Sequence, residues 1–374
     1  MHFKVSSSAL NSRLTAASKV LATKNTMPIL DCFLIDVSQD GQMTITASDS
    51  EKCFIANLPV LEHDGSGRFC VLAKTLLDST REIPEQPISI YFNEMTYELL
   101  GRHNSGQFTL MAQSAEPYPE PRPVTDGRVL EMPAETLLSG INNSLFATAN
   151  EEVRMVMNGI YFDIKPDHLI FASTDGKKLV KNIVHTVQAG YESNFILPKK
   201  VASIIKSIIT KDEGNIRIMY TFDRATITTE DLTLHFRLIE GNYPNYNAVI
   251  PTSNPYRAII DRQTFASALK RVCVCCNKSS GLVKLHLSQN NIDLIGKDNE
   301  HSTSAEDHLM CEYNNNNISI GFSCQLLIDI CNIISSENII LELADPSRPG
   351  LIRPAVEEEG NELIMLLMPM RVDD

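Results

Sequence analysis

The sequence lacks any uninterrupted apolar run near the ~18 residues that a membrane helix needs. Its first residues, Met1-His2-Phe3-Lys4-Val5, alternate like a strand and lack the apolar core of a signal peptide. A cytoplasmic protein with no membrane partner is expected. The nine cysteines are odd in number and have no disulfide-like spacing, so reduced, small, buried thiols are expected. Their one cluster, Cys273-Val274-Cys275-Cys276, has no second ligand pair at zinc-motif spacing. It reads as a packed helix end, with no metal and no cofactor. A phosphate loop, a paired His-Glu metal helix and a nucleophile elbow are all missing, which argues against an enzyme. Positive charge is also scarce: 33 Lys and Arg face 46 Asp and Glu, for a net −13. That balance argues against nucleic acid, whose phosphates are bound by Lys and Arg, unless the cations are gathered on one surface.

What is present is a repeat. The phrase Val71-Leu72-Ala73-Lys74-Thr75-Leu76-Leu77 returns as Ile196-Leu197-Pro198-Lys199-Lys200-Val201-Ala202. It returns again as Gly321-Phe322-Ser323-Cys324-Gln325-Leu326-Leu327, each copy starting 125 residues after the last. The period is too long for a solenoid, so each copy is a domain. A strand, turn and strand ending at an Asp also recur, at Asp49, Asp175 and Asp298, spaced by 126 and 123 residues. Tyr118-Pro119 is followed 125 residues later by Tyr243-Pro244. A chain of 374 residues at ~100–150 per domain allows three, expected at 1–124, 125–253 and 254–374. Pro117, Pro119, Pro121 and Pro123 stiffen the first linker; Pro244, Pro251 and Pro255 bracket the second. A carboxylate that recurs by repeat is more simply a turn residue than a catalytic acid. An acid-based hydrolase using paired carboxylates stays open as an alternative.

Short alternating runs such as Ile88-Ser89-Ile90-Tyr91-Phe92 and Leu234-His235-Phe236-Arg237-Leu238 predict half-buried antiparallel strands. Each third also holds two helical segments. The first are Ser8–Ala22, Pro133–Thr148 and Gln263–Val272; the second are Lys74–Glu82, Lys199–Lys211 and Cys324–Ile334. The predicted class is α+β, three tandem domains with antiparallel sheets and two helices each. The six segments sum to +6, which leaves −19 for the rest of the chain. Helices that are apolar toward a sheet and basic outside could meet phosphates without reading bases. An ordinary solvated helix face is the alternative.

These features, with the ending Leu367-Met368-Pro369-Met370-Arg371, resemble the bacterial sliding clamps, the β subunits of replicative DNA polymerase III. Met27-Pro28-Ile29-Leu30, Val153-Arg154, Asn158-Gly159, Thr174-Asp175-Gly176, Tyr243-Pro244-Asn245-Tyr246 and Ile250-Pro251 are similar to family segments over the whole chain. The resemblance implies a head-to-tail homodimer closing a ring of clamp domains around double-stranded DNA, held by topology rather than sequence. It implies DNA-facing roles for Lys24, Lys199, Lys200 and Lys206, and weaker ones for Arg13, Lys19, Lys270 and Arg271. Glu151 stands where the family often offers a DNA-compatible side chain, which leaves the role of that loop open.

It also implies a pocket for short apolar motifs of the replicative polymerase, the clamp loader and other clamp-binding proteins. Its wall would be Met157, Thr174, Gly176, Lys177, Lys178, Leu179, Pro244, Val249, Met368, Pro369, Met370 and Arg371. Lys177 and Lys178 replace a common His-Arg, and Ala248 a common Arg, so partner motifs are expected to differ. Methionine-rich surfaces suit several ligands; the alternative for Met365, Met368 and Met370 is a plain core strand. The residues after Met370 run two beyond the usual terminus. The dimer seam would join the edge strand of Phe108 and Leu110 to the helix end at Val274 and Cys275. A protein-binding scaffold without a DNA role is the remaining alternative.

Overall fold

In the computed structural model, which describes residues 1–150 and 152–372, one local grammar is used six times: a strand runs straight into a helix. His2–Ser6 leads into α1 (Ser7–Ser18), Arg128–Pro133 into α3 (Ala134–Leu145) and Tyr256–Asp261 into α5 (Arg262–Cys273). Gly67–Leu72 leads into α2 (Ala73–Thr80), Ser193–Pro198 into α4 (Lys199–Ile208) and Ile318–Ser323 into α6 (Cys324–Ile333). The phrase that recurs every 125 residues is this second junction.

The helix starts follow capping chemistry. The Ser6 hydroxyl accepts from the Ala9 amide at 3.2 Å, and the Asp261 carboxylate accepts from the Thr264 amide at 2.7 Å. That Asp261 cap begins α5 one residue before the predicted Gln263. Several ends fall short of the predicted ones. α1 stops at Ser18 because the Lys19 and Val20 amides turn back to the carbonyls of Ala16 and Ala17, a tighter turn that closes the helix.

The described residues form two compact units. The first holds Met1–Leu137 and Ser203–Leu238 and carries one antiparallel sheet of 13 strands. Within it, Leu232–Arg237 pairs with Lys52–Pro59, Leu232 opposite Ala56 and Phe236 opposite Lys52. The second unit holds Leu138–Ala202 and Ile239–Asp374 and carries sheets of nine and four strands. There Lys178–Val184 pairs with Asn361–Leu367, Lys178 opposite Leu367. Strands of the middle third thus extend a sheet in each unit, so sheet continuity follows neither predicted boundary.

Alternation buries one face of each strand: Pro87–Asn93 hides Ile88, Ile90 and Phe92, and Leu282–Ser288 hides Val283, Leu285 and Leu287. Gly140, inside α3, lets the Phe171 ring approach to 2.5 Å from where a Cβ would stand. No helix among the described residues is long and apolar enough to cross a membrane. All nine cysteines are free, but Cys273, Cys275 and Cys311 are only half-buried, because they sit at a helix end and in a loop. The Cys324 thiol donates to the Leu269 carbonyl at 3.3 Å and that of Cys276 to Val272 at 3.5 Å, which is the packing of a helix end.

Candidate functional site

The three recurring aspartates fold into one and the same turn. Asp49 accepts from the amides of Glu51 (2.7 Å) and Lys52 (2.6 Å), Asp175 from Lys177 (2.8 Å) and Lys178 (3.0 Å), and Asp298 from Glu300 (3.0 Å) and His301 (3.4 Å). Each also pairs with the basic group three residues on: Lys52, Lys178 and His301. Both carboxylate oxygens are therefore engaged in holding a turn. Asp298, Glu300 and His301 offer ligand atoms within 4.8 Å of one another, an arrangement the Asp298 turn already accounts for.

The Asp175 turn carries part of the predicted partner pocket, all of which lies in the second unit. Gly176 takes φ +89°, a left-handed conformation that suits glycine, and its amide donates to the Thr174 hydroxyl at 3.1 Å. That hydroxyl donates in turn to the Lys178 carbonyl at 2.7 Å. The Thr174 amide donates to the Tyr243 hydroxyl at 3.0 Å, which ties the Tyr243-Pro244 segment to the turn. Tyr243 stacks on Tyr161 with ring centroids 4.7 Å apart and joins a cluster with buried Leu179, Tyr246 and Leu366. Burial raises the Tyr243 pKa, so the phenol stays protonated.

The C-terminal segment is pinned beside this turn. The Met368 amide donates to the Lys177 carbonyl and the Met370 amide to the Gly321 carbonyl, both at 2.8 Å. Met365 is fully buried, as a core strand requires, whereas Met368 (42% exposed) and Val249 (54% exposed) leave apolar surface open. Pro244, Met157, Pro369 and Met370 are half-buried, and Arg371 is exposed. Pro369, Met370 and Arg371 also line a cavity of about 480 Å³ with Lys284, Ser319 and Asp345. Lys177 and Lys178 differ in availability: Lys178 pairs with Asp175 at 3.0 Å and lies over the Phe146 ring. Sequence reasoning left out Arg154 and Tyr243. The Arg154 guanidinium lies 3.1 Å from where a Gly176 Cβ would stand, and the sequence signal for it was its place in the family-like Val153-Arg154.

The predicted DNA-facing cations sort into two groups. α4 buries Val201, Ala202, Ile204, Ile205 and Ile208 and exposes Lys200, Ser203, Lys206 and Ser207 on one face. Lys19, Lys24 and Lys270 are exposed as well. The others are engaged. Arg13 pairs with Asp231 at 2.6 Å and Arg271 with Asp307 at 2.6 Å. Lys199 donates to the Asn150 side chain at 2.5 Å, and burial lowers its pKa. Glu151, Asp373 and Asp374 lie outside the described residues.

The predicted seam residues sit at open backbone. In the strand Gly106–Ser114, residues 106–111 pair with Glu98–His103 on one side. Pairing on the other side covers only Ala112–Ser114 among the described residues. The Phe108 ring folds over Gly101 of the neighbouring strand, while Leu110 is half-buried and Met111 is 67% exposed. The strand Thr303–Met310 ends the four-stranded sheet and offers a second open edge. Val274, capping α5, is 83% exposed, and Cys275 beside it is half-buried.

Three family patterns match in order along the chain, one on each repeat. They are "DNA polymerase III beta subunit, N-terminal domain" at residues 1–122, the central domain at 131–245 and the C-terminal domain at 247–371. The "Beta sliding clamp" of Pseudomonas aeruginosa is 25% identical over 373 residues, and that of Haemophilus influenzae 26% over 377, each covering 100% of both chains. The crystal structure of the DNA polymerase III subunit beta from Pseudomonas aeruginosa superposes with a TM-score of 0.91 at 25% identity over 100% of both chains. A sliding clamp from Bartonella birtlesii bound to griselimycin does so at 0.91 and 27%, again over 100% of both. The chain belongs to the DNA polymerase III beta subunit family.

Proposed function

We propose that this protein is a DNA sliding clamp, a non-enzymatic cytoplasmic ring of two copies that encircles duplex DNA and tethers the replicative polymerase. The observation that carries the reading is the match of three successive beta-subunit domains over nearly the whole chain. The division near residues 124 and 253 belongs to this reading, as do the clamp loader and other motif-bearing proteins as partners.

Three local features support it. The exposed lysines of α4, with Lys270 on α5, Lys19 at the end of α1 and Lys24 in the loop after it, supply positive charge while the whole chain stays at −13. Phosphate contacts of that kind carry no sequence information and exchange readily, as sliding requires. The open edges of Gly106–Ser114 and Thr303–Met310 fit a head-to-tail contact between copies, which cover unpaired strand edges. Apolar surface at Met368 and Val249 beside the Asp175 turn fits a short apolar motif.

Retention on DNA tests the function. After loading onto nicked circular DNA the protein is expected to stay bound through a high-salt wash and to be lost once the circle is cut. Equal loss from circular and linear templates refutes topological holding.

A further inference from the structure

The first unit holds a cavity of about 320 Å³ that the function above does not use. We propose that it is a second peptide site, selective for a short segment that carries both apolar and acidic side chains. Its walls reproduce, one repeat earlier, the parts that surround the Met368 surface. The Asp49 turn, Ser48 to Lys52, stands where the Asp175 turn stands, and Pro119 follows Tyr118 as Pro244 follows Tyr243. Register completes the equivalence: Lys52 faces Phe236 across the sheet as Lys178 faces Leu367. Arg237 therefore occupies the position of Met368. The comparison borrows the layout of the partner pocket, while the cavity and its charges stand without it.

The exchange of methionine for arginine sets the ligand. Met27, Leu30 and Phe236 give the cavity apolar walls, and Arg122, Arg224 and Arg237 line it with positive charge. Arg224 is paired with Asp223 at 3.4 Å. Arg122 and Arg237 are exposed and make no ion pair among the described residues. The acids on the wall are mostly spent: Asp49 on its turn and Lys52, Glu120 on Arg68 at 3.2 Å, with Glu51 remaining at the rim. His235 adds no charge at neutral pH, since burial lowers its pKa. Two forked guanidinium groups beside an apolar wall fit a carboxylate next to an apolar side chain. A continuous phosphate backbone fits poorly, because the apolar wall of Met27, Leu30 and Phe236 gives its charges no partner.

The test uses the full chain and a fluorescein-labelled octapeptide, Gly-Gly-Leu-Phe-Glu-Leu-Asp-Glu, read by fluorescence anisotropy at low salt. Saturable binding is expected. Arg237→Glu should weaken it about tenfold or more, as removal of a charge-assisted hydrogen bond does, and Arg122→Glu should act in the same direction. Both residues are exposed, so the fold should survive, and an unchanged melting temperature checks this. A chain ending at Leu367, which lacks the Met368 surface, should bind the octapeptide as the full chain does. No saturable binding, or binding indifferent to both charge reversals, overturns the proposal. Loss of binding on truncation assigns the octapeptide to the other pocket and overturns it too, as does displacement by single-stranded DNA in preference to unlabelled octapeptide. Failure of circular-DNA retention with octapeptide binding intact would count against the clamp reading alone.

Discussion

His235 shows how a single side chain gives the molecule a pH dependence. It sits buried in the strand Leu232–Arg237, its Nδ1 2.9 Å from the Thr226 hydroxyl, and burial holds its pKa below the ordinary value. The unfolded chain takes up the proton near pH ~6.5, whereas the folded chain does so only at lower pH. Between those two values the unfolded state binds more protons, so stability falls as pH drops below about 6.5 and levels off beneath the folded pKa. His235→Gln keeps a polar partner for Thr226 without the titration. Melting temperatures measured from pH 7.5 to 5 should fall less steeply in the variant than in the parent chain; equal slopes would show that His235 charges freely. Gly140 gives a second local expectation. Gly140→Ala drives a Cβ against the Phe171 ring and should cost about 1–3 kcal/mol in a denaturant titration, the range for overpacking a core. An unchanged midpoint would mean the ring has room to move.

At the scale of elements, the exposed end of α5 beside an open strand edge is the feature most in need of cover. Val274→Glu places a charge on apolar surface that is 83% exposed in one copy, so the isolated fold should be indifferent to it. A subunit contact would not be: a charge desolvated there without a partner is expected to shift the protein from dimer to monomer. Sedimentation at micromolar concentration reads the result, and a variant dimer as tight as the parent excludes Val274 from the seam. The same elements show what the sequence made legible. The first helix of each third was found from its apolar spacing, and the second helix and the Asp turns from their recurrence, because these are local patterns. Charge engagement was not legible. Nothing in Arg13 or Arg271 announces Asp231 or Asp307, which are brought near by the fold, 218 residues away in the first case. The joining of sheets by Lys52–Pro59 with Leu232–Arg237 was also invisible, since pairing between distant strands leaves no periodic trace. Near the C-terminus, Met365 and Met368 look alike in sequence and differ because Met365 lies inside the strand Asn361–Leu367 and Met368 just past its end.

At the scale of the whole molecule, the question is how a chain of net −13 holds DNA at all. The six observed helices carry a net +5, but Arg13, Arg262 and Arg271 spend their charge on Asp231, on the carbonyls of Ser336 and Cys331, and on Asp307. What remains is a small set of exposed lysines, chiefly Lys200 and Lys206 on α4. So few cations cannot hold a duplex against ordinary salt, because each phosphate neutralised adds only about 0.9 to the slope of log affinity against log salt. Weak equilibrium binding with long residence is then the expected behaviour, and the two should separate on mutation. Lys200→Ala with Lys206→Ala should make the salt dependence of binding to short linear duplex shallower, by about one for each phosphate no longer neutralised. The same variant, once loaded on closed circular DNA, should dissociate no faster than the parent chain, since a closed ring is released by opening and not by letting go of phosphates. Filter binding across a salt series measures the first quantity and a gel-filtration chase from circular DNA the second. Faster loss of the variant from closed circles would show that the lysines, not enclosure, keep the protein on DNA.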